Sequence, residues 1–297
     1  MITLVVASRN RSYTLQKVLP SYFTQEGVTE LILVDDDGED DAEAVLRAHA
    51  AQYSNVKFRY MRNDTRRGAS YSRGEGARYA NNPYILFCDD DEYLEPGYAA
   101  ACLALMVDEK IGVVSGRRVY MRAGETPEAA VSRFGSGPRR RRLFDMLLLE
   151  IVNGAHFKGT QSVPFTIANF LTRKELVLRF PLDSYYARGN GYREESDFQM
   201  NLYVHGYTIL INDAVHSIHL PIEEVRTGGQ RTSRLKRLGW SIYYNNYFID
   251  KYHARYRKRA GVSYPGWVAK AAGVTFLTWK TFLRPPLYKI ATSILYR

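Results

Sequence analysis

The sequence is poor in cysteine. It has two cysteines in 297 residues: Cys88 lies in an apolar run and Cys102 lies in an alanine-rich stretch. Two isolated cysteines cannot provide the disulfide framework of a small secreted protein or the ligands of a zinc finger. We therefore expect a reducing, cytoplasmic compartment.

Long apolar runs are missing as well. No segment reaches the roughly 18 uncharged apolar residues that a membrane-spanning helix needs. The first residues read as an apolar strand, without the basic and apolar regions of a secretory signal. We expect neither a membrane span nor a signal peptide. The sequence also lacks internal repeats and helix-turn-helix, zinc-finger or RNA-binding signatures.

Acidic residues are outnumbered by basic ones. The chain has 31 of the former and 41 of the latter, a formal net charge of +10. Such a surface attracts nucleotides, nucleic acids and acidic lipid headgroups, and charge alone does not choose among them. Hydrophobic residues make up 45% of the chain, enough to bury a substantial core. We expect one large domain with a C-terminal extension.

Short apolar strands and helical patterns alternate over the first 120 residues. This alternation predicts an α/β fold with a mostly parallel sheet flanked by helices, because parallel strands need long crossover connections. The predicted strands are 3–7, 30–34, 56–61, 84–88 and 112–119, and the predicted helices are 13–23, 41–52, 69–80 and 98–107.

The pattern breaks down between residues 120 and 159. This segment contains glycine and proline at 135–138 and four arginines at 139–142, so we interpret it as an insertion or mobile loop. An apolar period returns at 163–177. A helix at 194–205 and a strand at 208–212 are then predicted. These features divide the chain into a main domain, 1–220, with halves 1–120 and 121–220, and a basic, tyrosine-rich helical extension, 221–297.

An acidic cluster follows the predicted strand 84–88: Asp89, Asp90, Asp91 and Glu92. The carboxyl edge of an open α/β sheet is where such folds bind ligands. Neighbouring carboxylates repel one another unless a cation lies among them. Oxygen ligands favour Mg²⁺ or Mn²⁺, whose shell is typically completed by phosphate. The alternative is an acidic turn before the helix that starts near Pro96.

A second acidic cluster, Asp35 to Asp37, follows the predicted strand 30–34 at the same edge. Taken alone, it is as consistent with an N-cap for the next helix. Two clusters at one edge instead indicate a nucleotide site, where a carboxylate accepts from a ribose hydroxyl or a base N–H. Basic side chains are available nearby to neutralise a diphosphate: Arg9, Arg11, Arg66, Arg67, Arg73 and Arg78. For any single arginine, a solvated helix face is the simpler interpretation.

The order and spacing of these motifs over about residues 2–220 resemble the inverting family 2 glycosyltransferases of the GT-A fold. The resemblance rests on the loop 7–11, the pair Asp35–Asp36, the segment 63–78 and the cluster 89–91. It implies transfer of a sugar, with inversion, from a nucleotide diphosphate donor to a hydroxyl of a glycan or lipid-linked acceptor. UDP is the nucleotide that it favours, and Mn²⁺ or Mg²⁺ is the implied cofactor.

The resemblance also implies roles for individual residues. Asp35 and Asp36 would contact the nucleoside, Asp90 the ribose, and Asp91 would be the firmest metal ligand. The implied nucleotide-sugar site consists of Ala7, Ser8, Arg9, Asn10, Asp35, Asp36, Arg73, Asp89 and Asp90, and the implied metal ligands are Asp91, Asp89 and His219. His216 is the alternative to His219, and a histidine near a strand end is more often an ordinary hydrogen-bonded residue.

The family's acidic pair corresponds to Glu194 and Glu195, which precede Gly206 by about a dozen residues. Glu195 would then be the catalytic base, with Glu194 beside it. The family more often has aspartate at this position, so the reach of the base differs here. Without the resemblance, these glutamates are better explained as acidic residues that complement the positive end of a helix.

The segment 265–297 mixes aromatic residues with lysine and arginine, a composition suited to a helix in a membrane interface. We expect peripheral docking at the inner face of the membrane; the alternative is packing on the main domain. Two other functions compete: a retaining glycosyltransferase or nucleotidyltransferase on the same fold, and a basic nucleic-acid-binding protein. The acidic clusters argue against nucleic acid, because they repel a phosphate backbone unless metal intervenes.

Overall fold

The computed structural model describes residues 1–136, 142–153, 155–228 and 231–283. The strands are β1 Ile2–Ser8, β2 Val28–Asp35, β3 Lys57–Arg62, β4 Tyr84–Cys88, β5 Glu92–Leu94, β6 Ile111–Tyr120, β7 Phe144–Asp145, β8 Glu150–Ile151, β9 Thr160–Ser162, β10 Phe170–Arg173 and β11 Thr208–His219. The helices are α1 Ser12–Phe23, α2 Ala42–Ala50, α3 Ala69–Tyr79, α4 Tyr98–Ala104, α5 Pro127–Ser136, α6 Lys174–Arg179, α7 Glu194–Val204, α8 Arg234–Ala260 and α9 Gly266–Thr278. A 3-10 turn covers Ser184–Ala187 and a π-helical turn covers Trp279–Leu283.

Nine of the described strands form one sheet in the order β3-β2-β1-β4-β10-β6-β11-β5, with β9 paired to β11. The pairs among β1, β2, β3 and β4 are parallel, as is β6 with β11. β10 runs antiparallel between β4 and β6. The predicted fold class, a mostly parallel α/β sheet flanked by helices, is confirmed.

β1 and β2 are buried on both faces, which explains why they read as continuous apolar runs. Helix α3 lies unusually close to them. A Cβ atom at Gly76 would lie 2.5 Å from Cγ1 of Val5, so only glycine permits this approach. The close packing carries Arg73, nearly one turn earlier on α3, to the carboxyl edge of the sheet.

The second half of the sheet departs from the prediction in two places. The apolar period at 163–177 contains the short strand β10, which inserts between two strands of the first half. β11 continues to His219, well past the predicted end at 212, because a register shift between Ile211 and His216 absorbs the polar residues there. The extension brings His219 beside the acidic cluster.

The segment 120–159 contains more structure than the broken pattern indicated. It includes helix α5 and the hairpin of β7 and β8. Residues 137–141, which hold most of the predicted arginine run, lie outside the described part of the chain. The described end of the run, Arg142, is mostly exposed and lies 3.5 Å from a carboxylate oxygen of Asp145.

Helix α8 has 27 residues and packs one face on the main domain. Its buried residues include Phe248, Ile249 and Tyr252, which join the same apolar cluster as Phe165 and Phe198. Helix α9 packs against α8. Across the described ranges, every helix is too short or too polar to cross a bilayer.

Candidate active site

A cavity of about 910 Å³ opens at the carboxyl edge of the sheet. One wall comes from the ends of β1, β2 and β4 and the start of α3. The other comes from the loop before α7, from β11 and from the C-terminal helices. Asp36 and Asp91 both line this cavity, so the two acidic clusters share one cleft.

Asp90 and Asp91 are bridged by an arginine of the chain itself. Nη1 of Arg11 lies 2.6 Å from Oδ1 of Asp90 and 2.8 Å from Oδ2 of Asp91. Ser8 donates a further hydrogen bond of 2.7 Å to Asp90. Burial raises the pKa of Asp90 to about 6, although the guanidinium of Arg11 opposes the shift. Arg11 thus contacts the carboxylates that a cation would contact.

Asp89 is held by two other arginines. Nη2 of Arg73 lies 2.5 Å from Oδ1 of Asp89, and Nη2 of Arg118 lies 3.2 Å from Oδ2. Burial alone would raise the pKa of Asp89, but these guanidiniums lower it below its usual value. The repulsion that we expected within the acidic cluster is therefore relieved by guanidinium groups.

Three side chains could hold a metal ion: Asp91, Glu92 and His219. Their ligand atoms lie within 4.8 Å of one another, and Nε2 of His219 is 3.7 Å from Oδ2 of Asp91. Two buried carboxylates with one imidazole suit Mn²⁺ or Mg²⁺, so the residues fit the implied ion. Asp89 does not join this group, and His216 instead lies 2.8 Å from Glu95.

Asp36 organises the loop that enters α3. It accepts hydrogen bonds from the backbone N–H groups of Arg67 and Gly68, at 2.7 and 2.8 Å, and from Asn63 at 2.9 Å. Asp35 is fully buried, accepts from Gly38 N–H and Tyr60 at 2.7 Å, and does not line the cavity. The other predicted nucleotide-site residues do line it: Ala7, Ser8, Arg9, Asn10, Asp36, Arg73, Asp89 and Asp90.

Glu194 and Glu195 begin α7, opposite the acidic cluster. Nη1 of Arg73 lies 2.6 Å from Oε1 of Glu194 and 3.4 Å from Oε1 of Glu195. Burial raises the pKa of Glu194 to about 8, and the guanidinium of Arg73 works against that rise. The Glu194 side chain is 6% exposed and that of Glu195 is 29% exposed. Glu195 is therefore the member of the pair that an entering molecule can reach.

Several residues of the site were not identified from the sequence. Arg118 pairs with Glu92 at 2.5 Å, and Asn169 donates to Glu92 at 3.0 Å while accepting from Asp89 N–H. Arg193, at φ +79°, donates to Leu149 O at 2.5 Å and to Asn245 at 2.8 Å. The one available signal was the charged pair 117–118 within an apolar strand, because an arginine there needs a buried partner.

The sequence of this chain matches a known protein family. The family description "Glycosyl transferase family 2" matches residues 3–179. The Escherichia coli protein WfgD, a UDP-Glc:alpha-D-GlcNAc-diphosphoundecaprenol beta-1,3-glucosyltransferase, is 22% identical over 117 residues, which are 39% of this chain and 45% of WfgD. The chain matches less than half the length of the first curated relatives, between 31% and 45%.

Two solved structures share the fold. TarS 1–349 of Staphylococcus aureus in complex with UDP-GlcNAc superposes with a TM-score of 0.55 and 14% identity, over 84% of this chain and 66% of that one. The mannosyltransferase PcManGT of Pyrobaculum calidifontis, in complex with GDP-Man and Mn²⁺, superposes with a TM-score of 0.56 and 14% identity, over 99% of this chain and 86% of that one. From its motifs, its sheet and the family match over more than half of its length, the chain belongs to glycosyl transferase family 2 and has a GT-A fold.

Proposed function

We propose that the chain transfers a sugar from a nucleoside diphosphate sugar, with UDP as the favoured nucleotide, to a hydroxyl of a glycan or lipid-linked acceptor, with inversion. One observation carries the proposal: Asp36, Asp91 and Glu195 line the same cavity. In this proposal, a nucleotide site, a metal site and a base would face the same bound donor and acceptor. The UDP-GlcNAc and GDP-Man complexes of the related folds and the UDP-Glc donor of WfgD support this donor class.

Asp91, Glu92 and His219 would hold Mn²⁺ or Mg²⁺. The predicted ligand Asp89 is left out of this set because it lies outside the group of Asp91, Glu92 and His219 and pairs with Arg73 and Arg118. When bound, the ion supplies positive charge to the diphosphate as it leaves. Arg73, between Asp89 and Glu194, fixes the distance between the donor side and the acceptor side of the cavity.

Glu195 would act as the general base. Its carboxylate accepts the proton of the acceptor hydroxyl as that oxygen attacks the anomeric carbon. A single displacement of this kind inverts the configuration of that carbon. Glu194 would hold the start of α7, and with it Glu195, in place, because the contact between Glu194 and Arg73 is short and almost fully buried.

The test is donor hydrolysis by the purified protein with UDP-, GDP- and dTDP-sugars, each with and without Mn²⁺. We expect hydrolysis of a UDP-sugar that stops when the metal is chelated. Equal rates without metal would contradict the metal site. Anomeric analysis of the transfer product separates inversion from the retaining alternative, and release of sugar 1-phosphate in place of the nucleoside diphosphate would indicate a nucleotidyltransferase.

We further propose that the described part of 265–297 docks on an acidic membrane at the cytoplasmic face and brings a lipid-linked acceptor to the cavity. Leu277 and Lys280 line the cavity. Trp279, Phe282 and Leu283, which neighbour them in the chain, are 40%, 38% and 55% exposed. Exposed aromatic and aliphatic residues beside a lysine are typical of helices in a membrane interface. Residues 284–297, the rest of the predicted segment, lie outside the described ranges.

Liposome sedimentation tests this docking. Changing Trp279 and Phe282 together to serine should reduce sedimentation with vesicles that contain anionic lipid. Val107→Ser is the matched control, because Val107 is 84% exposed in a distant part of the sequence. Unchanged sedimentation of the double variant would refute membrane docking by this segment. The proposed donor hydrolysis does not depend on this result.

A further inference from the structure

A second concave surface adjoins the catalytic cavity. It is a groove of about 720 Å³ between the 3-10 turn Ser184–Ala187 and the first turns of α8. Tyr185, Trp240 and Tyr243 line it, and Arg188 and Lys236 lie at its rim. None of these residues has a part in the metal site, the nucleotide site or the acidic pair.

The aromatic side chains of the groove are held in fixed orientations while remaining accessible. Tyr185 and Tyr243 are 45% and 48% exposed. Their rings are nearly parallel, at 19° with centroids 6.0 Å apart, and Tyr247 stacks behind Tyr185 at 4.0 Å. The indole of Trp240 stands at 85° to the ring of Tyr243, with centroids 5.7 Å apart. Preformed aromatic walls with a few polar groups are typical of ligand sites.

The rim of the groove is positively charged. Arg188 and Lys236 are both exposed, and neither makes an ion pair with any residue in the described ranges. Two cations that have no carboxylate partner among the described residues share the groove with the hydroxyls of Tyr185 and Tyr243, which are hydrogen-bonded to each other. This combination favours a ligand that carries both hydroxyl and anionic groups.

The groove is separated from the cavity by a thin wall. Ala187 lines both spaces. On α8, Arg237 and Ser241 face the catalytic cavity, whereas Trp240 faces the groove. Gly189, which lines the cavity, packs directly against Trp240, which lines the groove: a Cβ atom at Gly189 would lie 2.3 Å from the indole. The groove therefore lies beside this end of the cavity, on the other side of a single layer of residues.

We propose that the groove binds an acidic glycan, namely the part of the acceptor chain that lies beyond the reacting sugar. The apolar faces of sugar rings pack on aromatic rings, tyrosine hydroxyls exchange hydrogen bonds with sugar hydroxyls, and the two cations pair with carboxylate groups. The concave shape accommodates a single chain, whereas a bilayer needs a protruding face. This inference rests on the proposed function, because it takes the acceptor to be a glycan.

The test uses affinity electrophoresis of the full chain through gels containing oligogalacturonides or neutral malto-oligosaccharides. We expect retardation by the acidic glycan and about tenfold weaker retardation after Tyr243→Ala, the loss typical of a central contact. Lys236→Ala should reduce both the affinity and its dependence on salt. Tyr79→Ala is the matched control, because Tyr79 is 43% exposed on α3, far from the groove in sequence.

Three results would overturn the inference: no retardation of the wild type by oligogalacturonides, an equal loss in the Tyr79 variant, or no loss in the Tyr243 variant. Reduced liposome sedimentation of the Tyr243 variant with unchanged glycan binding would assign the groove to the membrane instead. Glycan retardation that depends on Tyr243, in a protein without donor hydrolysis, would contradict the proposed function and leave the groove as a glycan site.

Discussion

The two walls of the catalytic cavity are built in different ways. The donor wall consists of strand ends and one helix from the first 120 residues. There, Ser8 pairs in register with Asp35 on the neighbouring parallel strand. The acceptor wall is centred on the segment 186–195, which runs from the 3-10 turn to the first residues of α7 and has positive φ at Gly189, Gly191 and Arg193. The sheet places the first wall, and helix α8 supports the second.

Helix α8 reaches the acceptor wall at several points. Asn190 donates to Ser241 at 2.8 Å, Tyr244 donates to Arg188 O at 2.6 Å, and Lys251 lies 2.8 Å from Asp197. All three partners on α8 lie outside the region that matches the family description, residues 3–179. The donor wall thus lies within the region that matches the family description, whereas the acceptor wall depends on a segment beyond it.

The variant with the largest expected effect is Glu195→Gln, which changes the acceptor wall and leaves the donor wall intact. We expect turnover to fall by about a thousandfold, because a general base contributes on that scale. Binding of UDP, measured by titration calorimetry, should stay unchanged. Glu43→Gln, at an exposed glutamate on α2, is the control. Wild-type turnover of the Glu195 variant would refute its role as the base.

Asp91→Ala is the corresponding change on the donor wall. Loss of a direct ligand should weaken Mn²⁺ binding by about 100-fold, since changes even to supporting residues cost 10- to 100-fold. Mn²⁺ binding is followed by electron paramagnetic resonance. The same experiment on the Glu195 variant should show no change. If both variants lose Mn²⁺ binding, the two walls do not act separately.

Lys251→Met tests the support from α8. The side chain of Asp197 is 2% exposed, and removing its cation leaves it, among the described residues, with the hydroxyl donors Tyr186 and Tyr252. We expect a loss of about 2 kcal/mol in the free energy of unfolding, below the usual cost of breaking a buried pair because Lys251 is itself 28% exposed.

Chemical denaturation measures this loss. Lys270→Met provides the matched control, since its partner Asp250 is 66% exposed and the pair should contribute less than about 1 kcal/mol. An equal effect of the two changes would mean that α8 does not stabilise the acceptor wall through Asp197.

Arg11→Gln should give the smallest effect. It tests whether Arg11 competes with a metal ion on the donor wall. Its guanidinium contacts both Asp90 and Asp91, so a metal ion at Asp91 competes with it. We expect about fivefold tighter Mn²⁺ binding without nucleotide, equivalent to about 1 kcal/mol. Arg11 also donates to Thr227 O. Tyr13→Phe, which loosens the same loop, should leave Mn²⁺ affinity unchanged. Weaker binding in the Arg11 variant would mean that Arg11 supports the metal site.

The donor wall was largely predictable. Residues 84–88 were predicted as a strand and form β4, since an apolar run of five residues bounded by polar residues is typical of a buried strand in an α/β chain. The meeting of Asp36 and Asp91 follows from geometry, because parallel strands end at the same edge of a sheet.

The choice between His216 and His219 shows where sequence reasoning stopped. Both lie on β11, three residues apart, so they face opposite sides of the strand. Because side chains alternate between the two faces of a strand, one of these histidines at most can contact Asp91. Which one does so depends on how β11 packs beside β6 and β5, and that pairing joins residues about 100 positions apart.

The sequence by itself determined the parallel strands of the first half, the helices between them and the edge at which the carboxylates gather, because apolar period and strand ends are local properties. Tertiary structure alone decided that β10 inserts between β4 and β6, that Arg11, Arg73 and Arg118 neutralise the acidic cluster, and that α8 supports the segment 186–195. Each of these depends on which distant segments bury one another's charges and apolar faces. No local pattern records that choice, because many partners satisfy the same burial requirement.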